Sequence, residues 1–461
     1  MARKLTLRQK TILVACLLFL AVAFRLASKP DTFDPVCRGC NVVLISIDTL
    51  RADHLGCYGY GKNTTPNIDE IAKESLLFEN THSTSSWTYP AHFTILTGKT
   101  PAKKQLFVFN GIEAFGGQQQ TLAEILNSRG YETAAFTGGG FVSEELGFGQ
   151  GFNTFVSRGR RFEDNQKSLL EWLGDNHFKR FFLFIHGYNC HRPYEAPGEY
   201  KNMFVTRTPA ECENVSFKDT ERPKFRCRET KEGLKYMKAR YDGEIFYADK
   251  LIGQVLEVLR DVGVYENTII VITSDHGEEF AEHGGFDHVN TLYEEVLHVP
   301  LLIRIPGVGS RRFSCGKTNT QIFPAILKLL GFEGWEGASL LSESESSLLA
   351  LTGRRGVIAE KIEGGEFIKY SLIEDNLKII KTTVGEGDPE KYYEVYDLRE
   401  DPGEKNNLFS VKKYDKQGIR LQARLEYQLN RLNESGIKKT GYNPLEDEEI
   451  RGQLRALGYL D

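Results

Sequence analysis

The chain has 461 residues, of which 40% are hydrophobic and 11% aromatic, so it can bury a large core and form two or three domain-sized units. Its 58 basic and 63 acidic residues are interspersed along the sequence and give a formal net charge of −5. Because no long run of one sign marks a nucleic-acid tail, we expect no nucleic-acid partner.

The N-terminus predicts export. Four basic residues precede an apolar run from Ile12 to Phe24, and they are Arg3, Lys4, Arg8 and Lys10. The run is shorter than the ~20 residues of a comfortable membrane span, so residues 1–30 are predicted to be a signal peptide or a short membrane anchor, followed by a linker at 31–40. The alternative, a buried core helix, is disfavoured because it would place the four basic residues at its end. Lipidation at Cys16 is a further alternative, although most of the apolar residues follow this cysteine.

From Asn41 onward, strand-like runs alternate with helix-like segments. The predicted strands are 41–47, 133–136, 181–185, 268–273 and 301–304, and the predicted helices are 66–75, one following Pro90, 121–129, 236–259 and about 321–330. The first strand is almost wholly aliphatic, which is typical of a strand buried on both faces of a parallel sheet. The alternation predicts an α/β domain over residues 41–350, with a mostly parallel sheet covered by helices on both sides.

Chemically active side chains follow several of these strands. Asp48 follows the first strand, His191 lies just past the aromatic strand, and Asp275 with His276 follows the strand at 268–273. Ligands of open α/β sheets bind beyond the carboxyl ends of the strands, so these residues are expected to meet. Adjacent Asp and His side chains can bind one divalent cation. Alternatively, Asp275 caps a helix.

Three segments resemble one known family. The segment from Ser86 to Gly98 resembles the C/S-x-P-S-R-x-x-L-L-T-G signature of the sulfatase branch of the alkaline phosphatase superfamily, and the Asp-His-Gly at Asp275 occurs in the family's order. The segment from Tyr396 to Leu408 resembles the family's C-terminal Y-D-L pattern. The resemblance covers the chain from about Asn41 to its end. It implies an alkaline-phosphatase-like three-layer sandwich with a small antiparallel sheet subdomain at 351–461, closed by a terminal helix.

The resemblance also implies a metal centre. Asp48, Thr88, Asp275 and His276 would hold a divalent cation, which could be Ca²⁺, Mg²⁺, Mn²⁺ or Zn²⁺. Thr88 occupies the place of the Cys or Ser that sulfatases oxidise to formylglycine, and a branched threonine cannot become that aldehyde. Thr88 is therefore expected to act as a plain hydroxyl whose pKa a cation would lower. The alternative is a helix N-cap, and a helix beginning at Ala91 or His92 would direct its amides at the bound anion.

Four histidines complete the candidate site. By resemblance, His191 binds the anionic group or protonates the leaving oxygen, and His288 has an oxygen-binding or acid role. His283 would orient the substrate. His92 replaces the signature arginine and either binds the anion or satisfies a carbonyl. The predicted catalytic residues are thus Thr88, His191 and His288.

Three departures from the family pattern indicate a change of substrate. Thr49 replaces a second aspartate, His92 replaces an arginine, and a glycine-rich segment at 136–141 stands where the family has G-K-W-H-L-G. These changes predict a hydrolase or phosphotransferase that acts on phosphate mono- or diesters of a glycan, lipid or small molecule. One alternative is a sulfuric ester hydrolase without formylglycine, and another is an inactive member that binds anionic glycans or lipids.

The cysteines fit an exported protein. Cys212 and Cys227 flank a polar loop and are predicted to form a disulfide in an oxidising compartment. Cys37 and Cys40 form either a disulfide or two free thiols, and zinc is disfavoured because no second C-x-x-C or paired histidines lie nearby. The loop at about 199–231 is expected to overhang the site.

Overall fold

The computed structural model describes residues 37–99, 119–213, 226–332, 360–363, 367–374, 376–384, 390–409 and 415–434, together with positions 452 and 455. The predicted export segment at 1–30, most of the linker and the domain boundary near residue 350 lie outside the described residues and stay predictions. Among the described residues, no helix has the length and apolar character that crossing a membrane requires.

The chain alternates strands and helices as its pattern predicts. The strands are β1 Asn41–Ile47, β2 Ser75–Phe78, β3 Thr81–His82, β4 Glu132–Phe136, β5 Thr154–Val156, β6 Phe181–Gly187, β7 Thr268–Thr273, β8 Glu279–Phe280, β9 Phe286–Asp287, β10 His298–Val299, β11 Leu301–Arg304, β12 Arg311–Phe313, β13 Lys317–Thr318, β14 Glu360–Glu363, β15 Phe367–Glu374, β16 Leu377–Val384 and β17 Glu390–Asp397. The helices are α1 Pro66–Ala72, α2 Thr88–Thr97, α3 Leu122–Ser128, α4 Phe162–Asn176, α5 Lys231–Asp261, α6 Glu294–Leu297, α7 Ile322–Leu329 and α8 Asp415–Glu434.

The central sheet has eight strands in the order β12-β2-β11-β7-β1-β6-β4-β5. Strands β7, β1, β6, β4 and β5 pair in parallel, whereas β11 runs antiparallel to both of its neighbours. The prediction of a mostly parallel sheet is confirmed. Strand β2 begins at Ser75, where a helix was predicted, so the predicted end of that helix was wrong.

Alternate residues of β1 pack into hydrophobic clusters on opposite faces of the sheet. Val42 and Leu44 belong to the cluster covered by α2, α3 and α7. Val43, Ile45 and Ile47 belong to the cluster covered by α1, α4 and α5. Because a parallel strand is covered on both faces, its apolar residues need not alternate with polar ones. The predicted α/β sandwich is confirmed.

Helix α2 begins earlier than predicted. Trp87 is extended at the cap position and Thr88 is the first helical residue, so the expected start at Ala91 or His92 was wrong, and Thr88 is not the N-cap. Pro90 is the third residue of the helix, where its missing N–H breaks no helical hydrogen bond. Thr88 therefore lies in the first turn of α2, with its side chain fully buried.

The predicted C-terminal antiparallel sheet is confirmed, with β14, β15, β16 and β17 in sequential order. One face packs against Leu421, Leu425 and Leu429 of α8. On the other face, Ile373, Ile380 and Tyr396 pack against apolar residues around α6. The small sheet is therefore joined to the α/β unit through the segment that contains α6.

A buried lysine strengthens this junction. Lys378 of β16 is 0% exposed, and its Nζ lies 2.9 Å from Glu294 Oε1 and 2.8 Å from Glu404 Oε1. The other oxygen of Glu294, Oε2, lies 2.9 Å from His82 Nε2. The ammonium group of Lys378 thus links the small sheet, α6 and the Y-D-L segment.

Replacing this lysine should destabilise the protein. Lys378→Met leaves the carboxyl groups of Glu294 and Glu404 buried without their cation, so we expect the free energy of unfolding to fall by about 3–5 kcal/mol in urea titrations. Lys391→Met changes an exposed lysine of β17 and should alter stability by less than about 0.5 kcal/mol. Equal stability of the two variants would contradict a structural role for Lys378.

Candidate active site

Two aspartates meet at the carboxyl ends of neighbouring strands. Asp48 follows β1 and Asp275 follows β7, and both are 0% exposed. Thr49 adopts a left-handed conformation with a φ of 56°, and its backbone N–H donates to Asp275 Oδ1 over 3.2 Å. This local turn holds the two carboxyl groups beside each other. No helix follows Asp275, since the chain continues into β8, so the helix-cap alternative for Asp275 was wrong.

The Thr88 hydroxyl lies against this pair of aspartates. Its Oγ1 donates to Asp48 Oδ2 over 3.0 Å and lies 3.4 Å from His276 Nε2. Because Thr88 is in the first turn of α2, the positive end of the helix dipole is at the same place. The structure therefore brings the predicted nucleophile to the predicted metal residues.

His276 has the orientation that a metal ligand requires. Its Nδ1 lies 3.0 Å from the Gly277 carbonyl oxygen, an acceptor, so Nδ1 carries the proton. The lone pair is then on Nε2, which lies 3.4 Å from Asp275 Oδ2. A backbone carbonyl that fixes the tautomer in this way is usual for metal-binding histidines.

The donor set of this cluster fits a divalent cation. Ligand atoms of Asp48, Asp275 and His276 lie within 4.8 Å of one another. Asp48 Oδ1 and Asp275 Oδ2 are buried and have no hydrogen-bond partner in the described part of the chain. Burial is the main cause that raises the pKa of the Asp48 carboxyl to about 6. Since a buried carboxylate is costly unless it is paired, a cation between these oxygens would remove the penalty.

His92 lies beneath the cluster. It is 0% exposed, its Nδ1 lies 2.9 Å from the Thr88 carbonyl oxygen, and its Nε2 lies 2.9 Å from Ser46 Oγ. Burial lowers its pKa to about 3, so the ring is neutral. Of the two predicted roles for His92, the structure shows the contact with a carbonyl.

Two further histidines form one wall of the site. The ring centroid of His288 lies 4.4 Å from that of His276 and 4.9 Å from that of His191. Glu278 Oε1 lies 3.2 Å from His288 Nδ1, and His191 Nδ1 lies 2.6 Å from the Arg192 carbonyl oxygen. Burial lowers the pKa of His288 to about 4 and that of His191 well below its usual value.

His283 lies in a different group. Its Nδ1 lies 2.7 Å from Glu295 Oε1, its Nε2 lies 3.1 Å from the Glu404 carbonyl oxygen, and its ring stacks on Tyr293 at 3.6 Å. Although Glu279, His283 and Glu295 could together hold a metal by distance alone, both nitrogens of His283 are already engaged. The structure does not bring His283 into contact with Thr88, so the expected role in orienting the substrate has no geometric support.

Sequence reasoning missed two residues of the site. His186 belongs to β6, with its Nε2 3.7 Å from Asp48 Oδ2, and it is the register partner of Ser46. Glu278 is 0% exposed and contacts His288. A polar residue within an otherwise apolar strand was the available signal for His186. For Glu278 the signal was a second acidic residue just after the Asp-His pair.

The structure forms the predicted disulfide between Cys212 and Cys227, and of the two alternatives for Cys37 and Cys40 it shows the disulfide. Cys57, Cys190 and Cys315 are free thiols. Burial raises the pKa of the Cys190 thiol well above its ordinary value, which suits a packing residue and not a nucleophile.

Known proteins share this architecture. The family model described as Sulfatase matches residues 40–332, well over half of the chain. N-acetylglucosamine-6-O-sulfatase of Bacteroides thetaiotaomicron is 25% identical over 89% of this chain and 90% of its own length. Human iduronate 2-sulfatase is 25% identical over 62% of each chain.

Solved structures of other proteins have a fold similar to that of this chain. A protein in complex with its substrate D-glucosamine-2-N,6-O-disulfate superposes with a TM-score of 0.68 at 22% identity, over 86% of this chain and 99% of that chain. The phosphonate monoester hydrolase of Agrobacterium radiobacter superposes with a TM-score of 0.65 at 18% identity, over 86% of this chain and 96% of that chain. The fold is thus found in proteins named for sulfated and for phosphonate substrates. Together with the family match, which confirms the predicted class of enzyme, these findings show that the chain belongs to the sulfatase family of ester hydrolases in the alkaline phosphatase superfamily.

Proposed function

We propose that this protein is a metal-dependent hydrolase or transferase that acts on phosphate mono- or diesters through Thr88. The observation that carries the proposal is the position of the Thr88 hydroxyl, which is fully buried between Asp48 and His276 in the first turn of α2. A threonine cannot supply the formylglycine of sulfatases, so a direct nucleophile is the chemistry that remains for this position.

Phosphorus chemistry is also compatible with this fold. The structure of a protein named as a phosphonate monoester hydrolase superposes over most of the chain, so the fold occurs in a protein named for a phosphorus ester. The anionic substrate proposed here is a phosphorylated glycan, lipid or small molecule.

The first step transfers the phosphoryl group to the protein. A bond forms between Thr88 Oγ1 and phosphorus while the bond from phosphorus to the leaving oxygen breaks. Asp48 Oδ2 accepts the hydrogen bond of the Thr88 hydroxyl and is placed to receive its proton. A divalent cation held by Asp48, Thr88, Asp275 and His276 would supply positive charge that stabilises the nucleophile and the transferring group.

The leaving oxygen needs a proton, and we assign its donation to His288 or His191, whose lowered pKa the negative charge of a bound substrate would raise. In the second step the same histidine would take the proton of the water or alcohol that attacks phosphorus, and Asp48 would return its proton to Thr88 Oγ1 as the bond from Thr88 to phosphorus breaks. Glu278 holds the ring of His288 through its contact with Nδ1. His92 does not touch the substrate in this proposal, because its contacts with Ser46 and with the Thr88 carbonyl make it a positioning residue.

A second candidate is hydrolysis of a sulfuric ester by the same threonine. It is favoured by the names of the relatives, which include sulfatases for N-acetylglucosamine-6-sulfate and iduronate-2-sulfate. A sulfated glycan would then be the substrate. The covalent adduct on Thr88 separates the two candidates.

We expect brief exposure to a phosphate ester to leave a phosphoryl group on Thr88. Since phosphoryl and sulfuryl adducts have almost the same mass, the ester should carry radiolabelled phosphorus or sulfur, and the labelled peptide should be sequenced by mass spectrometry. Label from the phosphate ester on Thr88 supports the proposal. Label from the sulfate ester alone establishes the second candidate.

Thr88→Val removes the hydroxyl and keeps the shape of the side chain. We expect kcat/KM to fall on the order of 10³-fold or more, as for loss of a nucleophile, together with loss of the adduct. Thr97→Val is the matched control, because Thr97 is a buried threonine of the same helix whose hydroxyl donates to the Phe93 carbonyl. Full activity of Thr88→Val would remove Thr88 from the mechanism.

The role of His288 should depend on the leaving group. Phenyl or alkyl esters need a protonated leaving oxygen, whereas 4-nitrophenyl esters need it far less. We therefore expect His288→Ala to lower kcat about 10²- to 10⁴-fold for the poor leaving groups and much less for 4-nitrophenyl esters.

Glu278→Ala should also lower kcat more for phenyl or alkyl esters than for 4-nitrophenyl esters, but by a smaller factor than His288→Ala. Glu278→Gln, which keeps an oxygen acceptor for His288, should restore much of the rate. An equal loss for all leaving groups in the two Glu278 variants would show that this residue is merely structural.

We also propose that the protein works in an exported, oxidising compartment, either secreted or anchored by its N-terminal segment. Its two disulfides support this location. Replacing both Cys212 and Cys227 with Ala should lower the free energy of unfolding by about 3 kcal/mol, because the bond closes a sequence separation of 15 residues. Cys57→Ala is the control that keeps the bond. Recovery of the native protein from the cytosol with these two thiols reduced would contradict export.

A further inference from the structure

Thr49 has an unfavourable backbone conformation directly after Asp48. Its φ is 56°, in the left-handed region, and the residue is 0% exposed. A β-branched side chain rarely adopts this conformation, because its substituents crowd the backbone. Such a conformation persists only where the surrounding contacts hold it. The contacts of the turn that follows β1 therefore decide whether Asp48 keeps its position.

A buried tyrosine hydroxyl makes two of these contacts. Tyr241 belongs to α5 and is 0% exposed. Its hydroxyl donates to the Thr49 carbonyl oxygen over 2.6 Å and accepts the backbone N–H of Arg51 over 2.9 Å. Burial raises the pKa of Tyr241 well above its ordinary value, so the hydroxyl keeps the proton that it donates. One side chain thus holds the two peptide groups on either side of Leu50.

The same turn contacts the second aspartate of the site. The backbone N–H of Thr49 donates to Asp275 Oδ1 over 3.2 Å. Asp275 fixes the N–H before the φ bond of Thr49 and Tyr241 fixes the carbonyl group after it, so the two contacts together set φ. Ligand atoms of Asp48, Asp275 and His276 lie within 4.8 Å of one another. A change of φ at Thr49 would therefore alter the spacing of these candidate ligands.

We propose that Tyr241 is a positioning residue of the cation site, whose hydroxyl holds Thr49 in the left-handed conformation and thereby sets the spacing of Asp48 and Asp275. The inference rests on the cation site of the proposed function, and it does not depend on whether the substrate contains phosphorus or sulfur. Tyr241 acts through the backbone of Thr49 and is not itself a ligand of the ion.

The ring of Tyr241 has a separate packing role. It contacts the rings of Phe280, His54 and Tyr194 at centroid distances of 5.1, 5.0 and 5.7 Å. Loss of the whole side chain would disturb this aromatic cluster and would not isolate the effect of the hydroxyl. Tyr241→Phe keeps the ring and removes only the two hydrogen bonds, so it is the substitution that tests the proposal.

The test measures how tightly the metal-free protein binds Co²⁺, followed by the visible absorption of the ion. We expect the dissociation constant of Tyr241→Phe to rise about 10- to 100-fold, as for the loss of other groups that orient metal ligands. Equal Co²⁺ binding by the wild-type protein and a folded Tyr241→Phe would overturn the proposal. Absence of Co²⁺ binding by the wild-type protein would overturn it as well.

Tyr131→Phe is the matched control. Tyr131 is also a buried tyrosine, and its hydroxyl donates to the Cys40 carbonyl oxygen over 3.1 Å, just before β1 begins. The control therefore removes a buried hydroxyl that contacts the backbone at the opposite end of the same strand. It should bind Co²⁺ as the wild-type protein does, and an equal loss in both tyrosine variants would contradict a specific role for Tyr241.

A glycine at position 49 provides a rescue experiment. Glycine adopts the left-handed conformation without steric cost, so the turn needs the tyrosine hydroxyl less. We expect Tyr241→Phe to weaken Co²⁺ binding several-fold less in a Thr49→Gly protein than in the wild-type background. The same loss in both backgrounds would show that the hydroxyl does not act through the conformation of Thr49, and the proposal would be rejected.

The double variant also decides the case in which Tyr241→Phe alone does not fold. A folded double variant that binds Co²⁺ nearly as tightly as Thr49→Gly would support the proposal, because the glycine replaces what the hydroxyl supplies. Failure of the double variant to fold would assign the hydroxyl of Tyr241 to the stability of the whole domain and would contradict a role specific to the site.

These outcomes are independent of the reaction. Weaker Co²⁺ binding in Tyr241→Phe, with no adduct on Thr88 of the wild-type protein, would support the positioning role and reject the proposed function. An adduct on Thr88, with equal Co²⁺ binding by the two proteins, would do the reverse.

Discussion

The site depends on the burial of two carboxyl groups beside one hydroxyl. Asp48 and Asp275 are held at the ends of adjacent parallel strands, and each keeps one buried oxygen without a hydrogen-bond partner in the described structure. Like charges so close together in a poorly solvated place repel each other. A cation would remove that repulsion and, in the proposed mechanism, would also supply the positive charge that a threonine nucleophile needs. The fold and the chemistry therefore share one electrostatic requirement.

The residues around the two carboxyl groups hold them and their neighbours in position. The backbone of Thr49 turns back to donate to Asp275, and the Gly277 carbonyl fixes the tautomer of His276. Below the cluster, a neutral His92 joins β1 to α2 through Ser46 and the Thr88 carbonyl. A histidine in that position adds no charge, unlike the arginine of the sulfatase signature. The floor of the site is consequently less cationic than the family pattern implies.

The long apolar strands could be predicted well, because a strand that is buried on both faces appears in the sequence as a run of consecutive apolar residues. The parallel strands β1, β6 and β7 are of this kind, whereas the C-terminal sheet was expected from the family resemblance. Short strands such as β2 and β5 were missed, since three or four residues carry too little pattern. The predicted start of α2 was wrong because the helix was expected to begin after Pro90, although a proline is tolerated throughout the first turn. Asp48, Thr88, Asp275 and His276 could be predicted from their places after strands and from the family resemblance. His186 stood out only as a polar residue in an apolar strand, and its position beside Asp48 depends on the β1–β6 register, which the sequence does not reveal.

The small C-terminal sheet has a consequence for catalysis. The segment that carries His288 runs directly into α6, and α6 is fixed to the sheet by the contact of Glu294 with Lys378. Nearby, His283 contacts the Glu404 carbonyl of the Y-D-L segment. The wall formed by His191 and His288 is thus held in part from outside the α/β unit. Truncation of the chain after the α/β unit would leave Thr88 in place but release the segment that carries His288, so the appended sheet helps to shape the site.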